Sequence, residues 1–314
     1  MSIRTYYDPL HQSISLNSSI PEEQMVMELI DSSPFQRLRR IKQLGPAHLT
    51  FHGAESSRFT HSLGVFHIAR RAINHLSQIN SKLKEHKFIL YGAALLHDLG
   101  HGPLSHTSEE IFKIKHESWT AKLIHSNDEI AMILNKYGEG NAKAISDLIQ
   151  SREAKEKSII SLISSQLDCD RLDYLMRDSY TTGARYGQLD IDRIISAMII
   201  APDGDLAIHP KGLMAVEHYL VIRNLMYRSV YNHRLNEVCN WLLEQIIKTA
   251  RKIGQKKVWA DETMSEWLWN HEKMSIENFL SNDDVVTGYH INKWQDSSFD
   301  NLSTLCRRFI NRDL

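Results

Sequence analysis

The run Phe88-Ile89-Leu90-Tyr91-Gly92-Ala93-Ala94-Leu95-Leu96 is apolar on every side and stops abruptly at His97-Asp98. A helix that is apolar all round belongs in the interior, so this segment predicts a buried central helix. It is about half the length a bilayer span requires, so it is not a membrane segment. Gly100 and Gly102-Pro103 then break the chain. Three His and one Asp crowd the turn His97-Asp98-Leu99-Gly100-His101-Gly102-Pro103-Leu104-Ser105-His106. Burying so many polar groups beside a core is costly unless they are paired or bound to a metal. A lone His-Asp pair is mostly a capping or surface feature; this denser cluster favours a metal site.

The other strong periodic signals are helical as well. Val65, Ile68, Ala69, Ala72, Ile73 and Leu76 fall on one stripe, and 159–178 and 213–247 read as two further long helices. One β-hairpin is expected over 197–208, around Pro202-Asp203-Gly204. Everything else reads as helix or loop, so the class is all-α. No linker or repeat marks a boundary; the organisation expected is a main domain over 1–250 and a helical appendage over 251–314, carrying Trp259, Trp267 and Trp269.

Two more ligand-type residues stand in suitable places. His61 opens the first amphipathic helix, and Asp170 lies on a later one, sharing a face with Tyr174 and Asp178. Two imidazoles and two carboxylates, from His61, His97, Asp98 and Asp170, suit Mn, Fe, Ni, Co or Zn better than Ca. Periodicity does not choose among Asp168, Asp170 and Asp173, which also fit a solvated helix face.

Composition narrows the partners. With 37 basic and 38 acidic side chains the net charge is -1, so no global field points to nucleic acid or a membrane. Cys169, Cys239 and Cys306 form no C-x-x-C pair, and the N-terminus has no apolar signal core. A reducing, cytoplasmic setting is the expectation.

The segments Phe35–Gly45, Arg58-Phe59-Thr60-His61-Ser62-Leu63-Gly64-Val65, Leu95–His106, His116-Glu117, Asp168–Asp178, Arg223-Asn224 and Tyr231-Asn232-His233 together resemble the HD-domain deoxynucleoside triphosphate triphosphohydrolases. The opening Tyr7-Asp8-Pro9-Leu10-His11 fits the same family. The resemblance implies an HD-domain helical fold with His61, His97, Asp98 and Asp170 as metal ligands. It implies catalytic roles for His101, His106 and His116, with Glu109 as acidic partner. Arg58, Arg171 and Tyr231 match phosphate-contacting positions, and Arg223 a residue near the nucleotide. Gln43, Leu44, Tyr174 and Asp178 match positions that hold the sugar. The implied reaction releases deoxynucleoside and inorganic triphosphate, with one divalent transition metal in the HD site and Mg²⁺ on the substrate phosphates.

Some features depart from the family. Tyr227 stands where animal members carry a pocket His, and the C-terminal portion is short. Asp31, Gln36 and Arg39 resemble part of a nucleotide-activator site at subunit contacts, although no C-terminal basic residues can be matched to complete it; the resemblance implies a homo-oligomer, a dimer or a tetramer. Arg37 and Arg40 read as ordinary helix-surface charge. The competing readings are another HD nucleotide phosphohydrolase (a monophosphatase, a stepwise phosphatase or a cyclic-nucleotide phosphodiesterase) and a nucleotide sensor without turnover. A Gly-Tyr-Pro signature of the cyclic-di-GMP branch is missing; the nearest text is Arg185-Tyr186-Gly187.

Overall fold

Helices make up nearly all the regular structure, as the all-α class anticipates. The structure, a computed structural model, describes residues 2–150 and 157–314. The apolar run forms the helix Lys87–Leu96, with Leu90 and Ala93 to Leu96 fully buried. The helix Arg58–Ile79 packs beside it through the expected stripe, from Val65 to Leu76. A single apolar cluster continues from Ile14 and Leu16 near the N-terminus to Leu302 and Cys306 near the C-terminus. Among the described residues no helix is long and apolar enough to cross a membrane.

Among the described residues two antiparallel hairpins occur rather than one. The expected pair is present, with Met198–Ile200 against Leu206–Ile208 and Gly204 at φ 86° in the turn. The other joins Ile3–Asp8 to Gln12–Asn17, with Asp8 opposite Gln12. Only Ile14 and Leu16 of this second hairpin bury apolar side chains fully, too short a period to read from sequence. At its tip the Asp8 carboxylate accepts the backbone N–H groups of Leu10 and His11 at 2.8 and 2.9 Å.

Both of the long helices expected later in the chain are interrupted. The first divides into Lys157–Ile163 and Cys169–Thr182. Asp168 explains the break: its carboxylate accepts from the N–H groups of Ser165 and Arg171, so it caps a new helix instead of continuing an old one. The second divides into Leu213–Met226, a wide π-turn over Tyr227–Tyr231, and Arg234–Ile253. Here His233 caps the restart, its Nδ1 accepting the N–H of Leu235 at 3.2 Å.

The C-terminal segment packs directly against the His-rich region. Phe279 stacks on Trp119 with ring centroids 4.0 Å apart, and Trp267 meets Phe112 edge-on at 5.1 Å. Arg37, expected on a helix surface, is instead buried beneath this segment. It donates to the carbonyls of Asn282 and His101 at 2.8 and 2.9 Å, and its guanidinium lies over the Phe279 ring. A short amphipathic helix leaves no sequence signal for which of its arginines a distant segment will cover.

Candidate metal centre

His61 sits in the first turn of the helix Arg58–Ile79, which Ser57 caps, and is fully buried. Its Nδ1 donates to Asp173 Oδ2 at 2.8 Å, which turns Nε2 toward the opposite side. His97 ends the central helix and is oriented the same way: its Nδ1 donates to the Ala94 carbonyl at 3.0 Å. Neither Nε2 atom has a hydrogen-bond partner, although both are buried.

Two carboxylates meet these nitrogens. Asp170 Oδ1 lies 3.0 Å from His61 Nε2 and 3.8 Å from His97 Nε2. Asp98 Oδ2 lies 3.6 Å from His61 Nε2, and its Oδ1 lies 3.4 Å from His97 Nε2. His61, His97 and Asp170 offer ligand atoms within 4.8 Å of one another. Burial alone would lower the basicity of His61, but the Asp170 and Asp173 carboxylates outweigh it and raise its pKa to about 10. Two orphaned imidazole nitrogens facing two carboxylates are a donor set that fits a divalent cation.

A second His cluster adjoins the first. His101 stacks on His116 with centroids 4.0 Å apart, and His106 meets His101 edge-on at 4.8 Å. Glu109 gathers the set: the Nδ1 atoms of His106 and His116 both donate to its Oε1 at 2.9 Å. Burial disfavours the Glu109 carboxylate, yet those histidines hold its pKa well below the usual carboxylate range. His116 is correspondingly raised, whereas burial and the Arg58 cation keep His101 neutral.

The HD domain pattern matches residues 58–178, and the HD-associated region matches residues 189–267. The uncharacterized protein YwfO of Bacillus subtilis is 37% identical over 313 residues, covering 99% of this chain and 71% of that protein. The chain belongs to the HD-domain family. The deoxynucleoside triphosphate triphosphohydrolase SAMHD1 homolog of Dictyostelium discoideum is 32% identical over 248 residues, which cover 72% of this chain and 46% of that protein. The chain therefore spans about half the length of that relative. The solved structure of a phosphohydrolase from Bacteroides thetaiotaomicron is similar at a TM-score of 0.86 and 28% identity, covering 99% of this chain and 77% of that one.

The remaining residues singled out from sequence surround the HD site unevenly. Tyr231, carried by the π-turn, donates its hydroxyl to Asp178 Oδ2 at 2.9 Å, and its ring lies edge-on to Tyr174 at 5.8 Å. Burial raises the Asp178 carboxyl to about 7, offset only in part by that hydrogen bond. Gln43 and Leu44 line a cavity of about 170 Å³ together with Leu104, His106 and Tyr231. Arg58 is buried, donating to Asp98 Oδ2 at 2.5 Å and to Ser105 Oγ at 2.8 Å. Arg171 pairs with Asp168, and Arg223 donates to Gln166 Oε1 at 2.8 Å.

Behind the HD ligands lies a polar network that sequence reasoning missed. Arg177 donates to both oxygens of Asp173 at 2.8 and 2.9 Å and to Asp8 Oδ2 at 2.8 Å. His11 Nε2 adds a bond to Asp173 Oδ1 at 2.6 Å. The tip of the N-terminal hairpin thus closes the back of the centre. The four-residue step from Asp173 to Arg177 was the one available signal.

Proposed function

We propose that this chain is a metal-dependent phosphohydrolase that converts deoxynucleoside triphosphates to a deoxynucleoside and inorganic triphosphate. The carrying observation is the pair of buried, partnerless Nε2 atoms of His61 and His97 facing Asp98 and Asp170. Two imidazole nitrogens and two carboxylates gathered this closely suit a cation between them, which satisfies all four groups at once. His61, His97, Asp98 and Asp170 would hold one divalent ion, with Mn, Fe, Co, Ni or Zn suited to the mixed donors and Mg²⁺ suited to the substrate's phosphates. An ion in this site supplies Lewis acidity toward a phosphoryl oxygen and lowers the pKa of water toward neutrality.

The protein's own groups account for the rest. His106 is exposed at the cavity with Nδ1 committed to Glu109, so its Nε2 is the atom that hands a proton to the leaving oxygen. Glu109 and His116 hold the reserve of charge behind it. Arg171 and Arg223 are the cations that steady the polyphosphate. Asp178 Oδ1 and Gln43 Oε1 are buried acceptors without partners, which suits the hydroxyl of a sugar. The likeness to the SAMHD1 homolog supports the nucleotide class.

Product analysis tests the reading. Metal-replete protein is incubated with each dNTP, singly and as a mixture, and products are resolved by anion exchange with Asp170→Ala as control. Intact triphosphate plus deoxynucleoside, absent with the variant, is the expected result. Orthophosphate or pyrophosphate, or cleavage only of monophosphates or cyclic nucleotides, would keep the metal site and replace the substrate. Binding of dNTPs without any turnover would favour a sensor. Turnover confined to the mixture would add nucleotide activation, for which Asp31, Gln36 and Arg39 are the candidate residues, with a dimer or tetramer as the expected assembly.

A further inference from the structure

We infer that Asp284, in the C-terminal segment, is a positioning residue that ties the Lys42–Leu44 side of the active-site cavity to the turn carrying His106. For its catalytic consequence this rests on the phosphohydrolase reading; the tie itself rests on geometry alone. Asp284 lies beyond both matched HD regions, the second of which ends at residue 267. Its Oδ1 accepts the backbone N–H of Leu104 at 2.7 Å, and its Oδ2 accepts that of Lys42 at 2.9 Å. Helix capping does not explain this carboxylate. Asp283 already caps the helix Asp284–Trp294, accepting the N–H groups of Val285 and Val286 at 3.0 and 3.1 Å. Burial raises the Asp284 carboxyl to about 6, so the carboxylate is kept there against a desolvation cost.

The turn it holds needs holding. Leu104 and Ser105 take positive φ angles of 62° and 56°, a conformation that side-chain-bearing residues adopt only where their surroundings over-determine it. Several contacts besides Asp284 hold it. Ser105 Oγ donates to the Lys42 carbonyl at 2.5 Å and accepts from Arg58 Nε at 2.8 Å. Gly45, at φ 51°, approaches the Leu104 carbonyl so closely that a Cβ there would stand 2.6 Å from its oxygen. Arg37, bound to the carbonyls of both Asn282 and His101, anchors the other end of the turn to the same C-terminal segment. His106 follows the strained pair directly, and it lines the same cavity as Gln43 and Leu44, which follow Lys42. Together with the Ser105–Lys42 bond, this carboxylate therefore sets the spacing between the proposed proton donor and the proposed sugar contacts.

Asp284→Asn keeps the shape but leaves one acceptor oxygen for two amides. Amide hydrogen exchange of the holoprotein should accelerate about tenfold or more at Lys42 or Leu104, and remain unchanged in the Arg58–Ile79 helix. In the product assay kcat should fall by about tenfold to a hundredfold, with bound Mn²⁺ per chain unchanged. Ser105→Ala cuts the other link between the two segments. If both act on one geometry, the double variant should lose no more kcat than the worse single variant. Unchanged exchange at both amides, or faster exchange with full kcat, would overturn the inference, as would fully additive losses. Should Asp284→Asn fail to fold, Ser105→Ala alone must show the local exchange and the loss of kcat. If the unaltered protein turns over no nucleotide, the phosphohydrolase reading fails, and the exchange data alone decide whether the tie exists.

Discussion

Asp173 accepts the Nδ1–H of His61 at 2.8 Å and so decides which nitrogen of that imidazole faces Asp98 and Asp170. A carboxylate in this position fixes both the tautomer and the ring angle of a metal-binding histidine. Asp173→Asn keeps the volume and removes the charge. Metal affinity, measured by competition with a chelator, should fall by about 10–100-fold. An unchanged affinity would mean that Asp173 serves the fold alone.

Arg177 is the cation that makes this buried carboxylate tolerable. It binds Asp173 and Asp8 together, so Arg177→Met would strand two buried negative charges. Loss of one partner from such a network costs about 3–5 kcal/mol. Urea denaturation of the variant should show a loss of that order. A loss below about 1 kcal/mol would place the network among the weakly contributing ion pairs.

Proton and metal compete for His61. Its pKa of about 10 without a metal means that Nε2 carries a proton at neutral pH, and a bound ion must displace it. Between pH 6 and 9, Mn²⁺ binding should release about one proton, and affinity should rise roughly tenfold per pH unit. Calorimetry in buffers of different ionisation enthalpy measures that proton count. A value near zero would show that another residue takes the role.

Asp178 carries a stability signature of its own. Its folded pKa of about 7 lies above the unfolded value of about 3.9, so the native state binds the extra proton between those limits. Its contribution is fully present below about pH 4, diminishes as pH rises, and is gone above about pH 7. Asp178→Asn should therefore gain stability relative to the unaltered protein as pH rises from 4 to 8. Urea melts across that range report the difference; parallel curves would contradict the assignment.

The parts of the site legible in the sequence were those written in adjacent residues. The apolar run ending in His97-Asp98 announced a rigid support for ligands, and the stripe from Val65 to Leu76 placed His61 at a helix start. Periodicity did not choose among Asp168, Asp170 and Asp173; the family resemblance picked Asp170, and the fold shows how the three side chains differ in where they land. Asp168 caps its helix, Asp170 faces the two Nε2 atoms, and Asp173 lies behind His61. Gly64 shows why periodicity was mute: its missing side chain leaves the space that the Asp173 carboxylate and Arg177 occupy. Asp8, His11 and Asp284 reach the site from far along the chain, and no local pattern encodes such contacts. The burial of Arg37 is hidden for the same reason.

The most direct test of the account is a titration of metal-stripped protein with Mn²⁺ in the presence of Mg²⁺ and an equimolar dNTP mixture, reading inorganic triphosphate. The stripped protein should yield no triphosphate, the rate should climb in proportion to added Mn²⁺, and it should reach a plateau at one ion per chain that His97→Ala abolishes. Triphosphate from the stripped protein, or a plateau that survives His97→Ala, would contradict the account.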